Sequence, residues 1–182
     1  MRTLAFLLLA ILLPLATVVA LFVILLDGKP ILFFQKRVGL ERKPFILCKF
    51  RSMDKGRVTT LGKLLRKSGL DEIPQLWNIL RGEMSLVGPR PLLIADIERM
   101  GWAGPENHWR WSVLPGITCL AQLSPLHSAS NSLSLDRLYV QNPSVAMKFW
   151  ILIKTLRVPF FGKRPDSPKT VQNLQDSRLA EE

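Results

Sequence analysis

The longest hydrophobic stretch of this chain lies near its N-terminus, where residues 4–26 contain no charged side chain. As one straight helix, these 23 residues would be about 35 Å long, enough for the roughly 30 Å hydrocarbon core of a bilayer. That length favours a membrane segment over a secretory signal, whose apolar core is usually shorter. Pro14 lies in the middle of the stretch and predicts a kink, because proline removes a backbone donor and crowds the preceding turn.

Shorter alternations of apolar and polar positions follow in the rest of the chain. Two apolar runs, at 31–34 and 45–50, predict short strands joined by a polar turn. The apolar spacing of a helix then recurs in three segments, which are 61–67, 72–81 and 92–100. We therefore predict an α+β fold that is mainly helical with a small β element.

The segment 72–81 is preceded by the chemically most informative residues. Its apolar positions fall on one helical face, with Ile73, Leu76, Trp77 and Leu80. Asp71 and Glu72 therefore lie at or near a helix N-terminus, where unpaired N–H groups and the helix dipole favour an ionised carboxylate or a bound phosphate. An ordinary helix start often has acidic residues too. The position of the pair does not by itself identify an enzyme.

A longer pattern surrounds this acidic pair. Residues 70–91 read Leu-Asp-Glu-Ile-Pro-Gln-Leu-Trp-Asn-Ile-Leu-Arg-Gly-Glu-Met-Ser-Leu-Val-Gly-Pro-Arg-Pro. Shorter matches are Phe-Phe-Gln-Lys-Arg-Val-Gly at 33–39, Lys-Phe-Arg-Ser-Met at 49–53 and Pro-Gly-Ile-Thr at 115–118. Together these motifs closely resemble the bacterial sugar transferases, the small monotopic phosphoglycosyl transferases. The resemblance covers residues 4 to about 155.

The resemblance implies a reaction and the residues that perform it. A phosphosugar would pass from a nucleotide diphosphate sugar, usually a UDP-sugar, to a polyprenol phosphate in the membrane, with release of UMP. Asp71 would be the nucleophile of a covalent aspartyl intermediate, and Glu72 would orient the phosphates, the metal or a proton. Magnesium, shared between Asp71 and the substrate phosphates, is the expected ion, because a hard cation on diphosphate oxygens reduces their repulsion of an incoming carboxylate.

Basic residues of the matched motifs are candidate phosphate ligands, since guanidinium and ammonium groups bind phosphate oxygens. They are Arg66, Arg90, Arg110, Lys49 and Arg51. Arg90 is favoured most, because Pro89 and Pro91 restrict its backbone, and Arg66 follows because it lies five positions before Asp71. Each of these residues alone could also be a solvated surface charge.

Charge predicts how the chain meets the membrane. The formal net charge is +11, and residues 29–67 contain twelve Lys or Arg against two acidic residues. By the positive-inside rule, this side of the apolar stretch is cytoplasmic. The resemblance implies a re-entrant helix-break-helix that bends at Pro14 and returns to the cytoplasmic face of the bacterial inner membrane. A plain spanning helix is the alternative.

The same positive charge would suit anionic lipid or nucleic acid. A second apolar and basic segment, at 145–161, favours the membrane because it suits an interfacial helix, although an ordinary core helix has a similar pattern. A membrane-tethered nucleic-acid-binding module is the rival, but the chain has no recognition motif for it, and we expect no nucleic acid partner. The expected partners are a nucleotide sugar donor, a polyprenol phosphate acceptor and the phospholipid membrane.

We divide the chain into a membrane anchor at 1–27, a catalytic domain at 28–161 and a C-terminal tail at 162–182. The tail is too poor in apolar groups to join a core, and we expect it to be flexible. Cys48 and Cys119 have no metal-ligand spacing and are predicted to be buried free thiols.

The chain departs from the family pattern at residues 114–126. The family usually has Arg-Pro-Gly-Ile-Thr-Gly-Trp-Ala-Gln and then Asn-Gly-Arg, whereas this chain has Leu-Pro-Gly-Ile-Thr-Cys-Leu-Ala-Gln-Leu-Ser-Pro-Leu. We expect Ser124, Pro125 and Leu126 to influence the choice of sugar, in a region (101–134) whose composition predicts loops and short helices. The same departures leave open a second rival, a catalytically idle scaffold or partner subunit with this fold. The sugar, the polyprenol and the oligomeric state are not determined by the sequence.

Overall fold

The structure is a computed structural model that describes residues 2–124, 126, 128–142 and 144–155. It begins with the apolar helix α1 (Arg2–Phe22), which continues as a π-helical turn over Val23–Asp27. This helix is long and apolar enough to cross a membrane, and little of it is buried. Its helical assignment continues through Pro14, so the predicted break is not seen in the secondary structure. A proline removes only one bond of the helical ladder and can bend a helix without ending it.

Short strands and helices follow α1. The strands are β1 (Leu32–Val38), β2 (Pro44–Phe50), β3 (Met53–Asp54), β4 (Arg57–Val58), β5 (Ser85–Val87) and β6 (Gly116–Thr118). The further α-helices are α2 (Thr60–Ser68), α3 (Gln75–Arg81), α4 (Ile94–Arg99), α5 (Ala129–Gln141) and α6 (Val145–Thr155). Short 3-10 turns occupy Leu40–Arg42, Leu70–Glu72, Pro105–Trp111 and Leu120–Leu123. The predicted class, mainly helical with a small β element, is confirmed.

The strands form pairs. β1 and β2 are an antiparallel hairpin in which Leu32 lies opposite Phe50, as the two apolar runs predict. β3 and β4 form a second antiparallel pair. β5 and β6 are parallel, with Ser85 opposite Gly116. This parallel pair was not predicted, because strands of three residues are too short for an alternating pattern.

The buried face of α3 differs from the prediction at one position. Leu76 is buried as predicted, whereas Trp77 is 55% exposed. Asn78 faces inward, where its side chain accepts a hydrogen bond from the Cys48 amide (3.1 Å) and donates one to the Ile46 carbonyl (2.7 Å). These bonds to β2 compensate for burying a polar group, which a hydrophobic pattern would place in solvent.

The hydrophobic core includes side chains of α1 and of the π-helical turn that continues it. Ala5, Val19 and Val23 are buried in the same cluster as Leu76 and Ile79 of the globular part. The apolar helix is therefore packed on the domain that follows it, while its opposite face stays exposed.

Both ends of the N-terminal helix contact that domain. At the first end, the Arg2 guanidinium lies against Gly82, where an added β-carbon would overlap it. At the other end, Arg51 donates hydrogen bonds to the carbonyls of Asp27 and Gly28, the second at 2.6 Å. The two ends of the helix are thus held by one globular body.

The predicted apolar and basic segment at 145–161 is helical over α6. Ile151 is fully buried in the core, whereas Phe149 and Ile153 are each 62% exposed. The helix therefore combines a core face with an exposed apolar face. The end of the segment and the predicted tail at 162–182 lie outside the described residues.

Candidate active site

The acidic pair lies on the 3-10 turn Leu70–Glu72, just before α3. The turn follows Gly69, whose φ of +77° is the left-handed conformation that ends α2. The Glu72 amide is used within the turn, where it donates to the Gly69 carbonyl at 3.1 Å. Because α3 has only seven residues and begins after the pair, its dipole acts less on Asp71 than the sequence suggests.

A lysine joins the acidic pair to the β-hairpin. Asp71 and Glu72 are 5% and 9% exposed, and the Lys49 ammonium on β2 lies 3.2 Å from Glu72 Oε1. Burial lowers the pKa of Lys49 below its ordinary value, as does the nearby charge of Arg90, whereas Glu72 and Asp71 raise it. Both carboxylates therefore lie within electrostatic range of one cation.

Lys49 and Glu72 line an open cleft. Its walls also include the polar side chains of Arg37, Gln75, Arg90 and Gln122. Three cationic side chains meet one carboxylate there, which favours an anionic ligand. Asp71 lies directly beside Glu72 in the chain and is not among the described residues that line the cleft.

Arg90 lies on a loop whose backbone is held by other elements. The carbonyls from the end of β5 through the loop accept hydrogen bonds as follows: Val87 from Tyr139 Oη (2.9 Å), Pro89 from the Gly116 amide (3.0 Å), Arg90 from Arg110 Nη2 (2.8 Å), Pro91 from Arg37 Nη1 (3.3 Å) and Leu92 from the Val38 amide (3.0 Å). These bonds, together with two prolines, fix the path of the backbone where the Arg90 side chain enters the cleft.

The structure brings two of the five predicted phosphate ligands, Lys49 and Arg90, to the cleft. Arg110 is instead buried, with Nε 2.8 Å from Asp136 Oδ2. Arg51 holds the end of the apolar helix. Arg66 is exposed on the last turn of α2 and is not among the described residues that line the cleft.

The predicted specificity segment lies just after a cleft residue. Gln122 lines the cleft and is followed two positions later by Ser124, whose Oγ accepts hydrogen bonds from the Leu126 amide and from Asn131 Nδ2. Leu126 is 64% exposed, and Pro125 lies outside the described residues. Ser124 and Leu126 thus lie close in the sequence to the cleft residue Gln122. Their role in the choice of sugar stays a prediction.

The donor set suits a metal ion only together with a substrate. No group of three or more His, Cys, Asp or Glu side chains that could hold a metal occurs within the described part of the chain. Asp71 and Glu72 supply two carboxylates. Mg²⁺ is commonly bound by one or two carboxylates, with substrate phosphates and water completing its shell. The acidic pair therefore fits an ion that is shared with a bound diphosphate.

Sequence comparison identifies the family. The model of the bacterial sugar transferases matches residues 2–162. The chain belongs to the bacterial sugar transferase family. One relative of this sugar transferase is the uncharacterized sugar transferase EpsL of Bacillus subtilis (strain 168), which is 40% identical over 144 residues, or 71% of this chain and 70% of EpsL.

Other relatives of the sugar transferase have names that describe a reaction. The UDP-glucose:undecaprenyl-phosphate glucose-1-phosphate transferase of Caulobacter vibrioides is 36% identical over 168 residues, which is 85% of this chain and 63% of that protein. The enzyme of the same name from Escherichia coli (strain K12) is 35% identical over 181 residues, which is 88% of this chain and 39% of that protein. This chain therefore spans only part of the length of these two relatives.

Three residues that line the cleft with polar side chains were not predicted as site residues of this sugar transferase. Arg37, Gln75 and Gln122 line the cleft, and all three lie within the matched motifs. The motifs could therefore have indicated them. Which polar residue of a motif faces a ligand depends on tertiary packing, and Gln75 is only 3% exposed despite its polar side chain.

Proposed function

We propose that this sugar transferase moves a phosphosugar from a UDP-sugar to a polyprenol phosphate and releases UMP. The observation that carries the proposal is the meeting of Glu72, with Asp71 beside it, and three cations at one cleft. Guanidinium and ammonium groups there would neutralise a diphosphate, and a buried carboxylate next to it would supply a nucleophile. The names of the relatives support a UDP-sugar donor and an undecaprenyl phosphate acceptor.

In the first step, a carboxylate oxygen of Asp71 attacks the phosphorus that bears the sugar. A bond forms between that oxygen and the phosphorus, and the bond from the phosphorus to the bridging oxygen breaks. UMP leaves with the bonding electron pair. Lys49, Arg37 and Arg90 balance the negative charge of the phosphates. Because reacting atoms must approach to about 3–3.5 Å, the sugar-bearing phosphate would enter the cleft beyond Glu72, toward Asp71.

In the second step, a phosphate oxygen of the polyprenol phosphate attacks the same phosphorus. The bond between Asp71 and phosphorus breaks, the carboxylate is regenerated, and a polyprenol diphosphate sugar is formed. One product leaves before the second substrate reacts, which is a ping-pong mechanism. Glu72 holds the Lys49 ammonium toward the phosphates at its distance of 3.2 Å.

Asp71, together with phosphate oxygens of the donor, would hold the magnesium ion. When bound, the ion would neutralise charge on the diphosphate and favour the departure of UMP. We assign Glu72, which pairs with Lys49, to orientation of the cation and the phosphates.

We further propose a re-entrant arrangement of α1 at the cytoplasmic face of the inner membrane. The contacts of Arg2 with Gly82 and of Asp27 with Arg51 support it, because both join the helix ends to one globular domain. A spanning helix would separate its ends by about 30 Å of hydrocarbon. The basic region 29–67 favours the cytoplasmic side, and the bend would lie near Pro14.

The direct test is release of UMP from a panel of UDP-sugars by the full chain in lipid nanodiscs with undecaprenyl phosphate and Mg²⁺. We expect release from at least one donor, and none with Asp71→Asn, which measures background hydrolysis. If no donor in the panel gave UMP, the idle scaffold would be the better explanation. The intact acidic pair and the cationic cleft favour the enzyme, since a scaffold would not require them.

A further inference from the structure

Two side chains of helix α5 are linked to the backbone around Arg90, one directly at the end of β5 and the other through Arg110. Asp136 and Tyr139 are three residues apart and share one face of the helix, and they are 3% and 5% exposed. Tyr139 Oη donates to the Val87 carbonyl at 2.9 Å. Asp136 Oδ2 accepts from Arg110 Nε, and Arg110 Nη2 donates to the Arg90 carbonyl, each at 2.8 Å. The helix is thus linked directly to Val87 at the end of β5, and through Arg110 to Arg90 in the loop.

Fold stability alone does not require this arrangement. The Arg110 and Asp136 side chains are only 3% and 4% exposed, and a buried ion pair adds little net stability because both charges lose their water. The pair does achieve a specific geometry, because the planar guanidinium donates in two directions at once, to the carboxylate and to the loop. A lysine in its place would not reproduce that fork.

We propose that Arg110, Asp136 and Tyr139 are positioning residues that fix the Arg90 backbone so that its guanidinium is ready to bind the donor diphosphate. The inference rests on the proposed function. None of the three lines the cleft among the residues that the structure describes, so they act through Arg90. Because the loop is already ordered, it loses less conformational entropy when the ligand binds. The affinity for the diphosphate is therefore higher.

The first test is the double variant Arg110→Met with Asp136→Val, because replacing both partners of a buried ion pair by apolar residues of similar combined volume often causes no loss of stability. We expect a similar melting temperature, a KM for the UDP-sugar about tenfold higher and a much smaller change in kcat, as when a charge-assisted hydrogen bond to the ligand is weakened. The Kd of UDP, measured by calorimetry, should rise by the same factor. Arg137→Met is the matched control, since Arg137 is exposed on the same helix, and we expect both constants to stay unchanged.

The decisive test repeats the double variant in an Arg90→Met background. If the pair acts through Arg90, the Kd of UDP should not rise further there. The proposal would be overturned if the double variant raised the Kd of UDP equally in both backgrounds. It would also be overturned if the double variant left the Kd unchanged in a chain that retains Arg90.

Tyr139→Phe provides a second variant in case the double variant does not fold. It removes one hydroxyl and should raise the Kd of UDP about threefold, again only when Arg90 is present. An unchanged Kd for this variant would contradict the role of Tyr139. UDP binding separates the two ideas: a chain that binds UDP through Arg90 but releases no UMP from any donor would contradict the proposed function and not the positioning.

Discussion

The Lys49 ammonium lies 3.2 Å from the Glu72 carboxylate and connects β2 to the turn that carries the acidic pair. Burial lowers the pKa of this lysine. A bound diphosphate would favour the charged form and raise that pKa again. Binding of the proposed donor would therefore be coupled to the protonation of Lys49.

We predict that the donor KM increases with pH in the alkaline range. Because its pKa is lowered, Lys49 loses its proton below the ordinary value of 10.5, and a neutral amine attracts phosphate weakly. Lys49→Arg, which keeps its charge at these pH values, should flatten the increase. The measurement is KM between about pH 7 and 10 for both proteins. A wild-type KM that is constant over this range would contradict the prediction.

Asp71 should carry the phosphosugar. With a UDP-sugar and Mg²⁺ but no polyprenol phosphate, the intact mass of the chain should increase by one phosphosugar, located by peptide mapping at Asp71. Asp71→Asn should abolish both this adduct and UMP release, because the amide is not a nucleophile of comparable strength. Asp54→Asn, on the exposed strand β3, is the control and should form the adduct normally. An adduct on a different residue would contradict the assigned mechanism.

Arg37 should bind the donor phosphates, although only the structure indicates it. It lines the cleft, and burial together with the charge of Arg90 lowers its pKa. Removal of one charge-assisted hydrogen bond costs about 2 kcal/mol, so Arg37→Gln should raise the donor KM roughly thirtyfold. Lys36→Gln removes an exposed cation at the preceding position of β1 and should change the donor KM little. Equal effects of the two variants would indicate a general loss of charge instead of a specific contact.

Both ends of α1 should face the cytoplasm. A tag placed before Arg2 should react with a membrane-impermeant reagent only after the cells are permeabilised. Pro14→Leu restores a helical hydrogen bond and removes the reason for a bend, so a fraction of these molecules should become labelled from outside. Strong outside labelling of the unaltered chain would show a spanning helix and would exclude the re-entrant arrangement.

The segment at 124–126 should affect the choice of sugar. Replacement of Ser124, Pro125 and Leu126 by Asn-Gly-Arg restores the usual family residues beside the cleft residue Gln122. We expect the order of preference among UDP-sugars to change in a competition assay. If both the order and the rate stayed the same, the segment would have no role in specificity.

Much of the fold and part of the site could be predicted from local patterns. The hairpin, helices α2 to α4 and the two buried free cysteines follow from hydrophobic spacing and from the absence of a paired cysteine motif. Lys49, Glu72 and Arg90 were predicted as site residues and lie together at the cleft. These three residues were predicted from the family resemblance, whose motifs at 49–53 and 70–91 contain them.

Helix α5 could not be predicted in the same way. Its first residues lie in the region 101–134, where serine and asparagine favour loops, and its buried positions include the polar residue Asp136. A hydrophobic pattern places such a residue in solvent. Asp136 is buried because Arg110, 26 residues earlier in the chain, pairs with it. Arg110 was predicted to be a phosphate ligand because the sequence does not show that Asp136 is its partner. Only the tertiary fold brings the two side chains together.

The contact between Arg2 and Gly82 also has a consequence for biosynthesis. About 80 residues separate the two positions, and a ribosome that adds 5–20 residues per second needs roughly 4–16 s to make them. During that time the apolar helix has left the ribosome, and its partner on the domain has not yet been made. In the proposed membrane arrangement, the helix would therefore meet the lipid first, and its contacts with the domain would form only when the domain folds. A substitution that slows folding of the domain would lengthen the period in which the helix can insert in the wrong way.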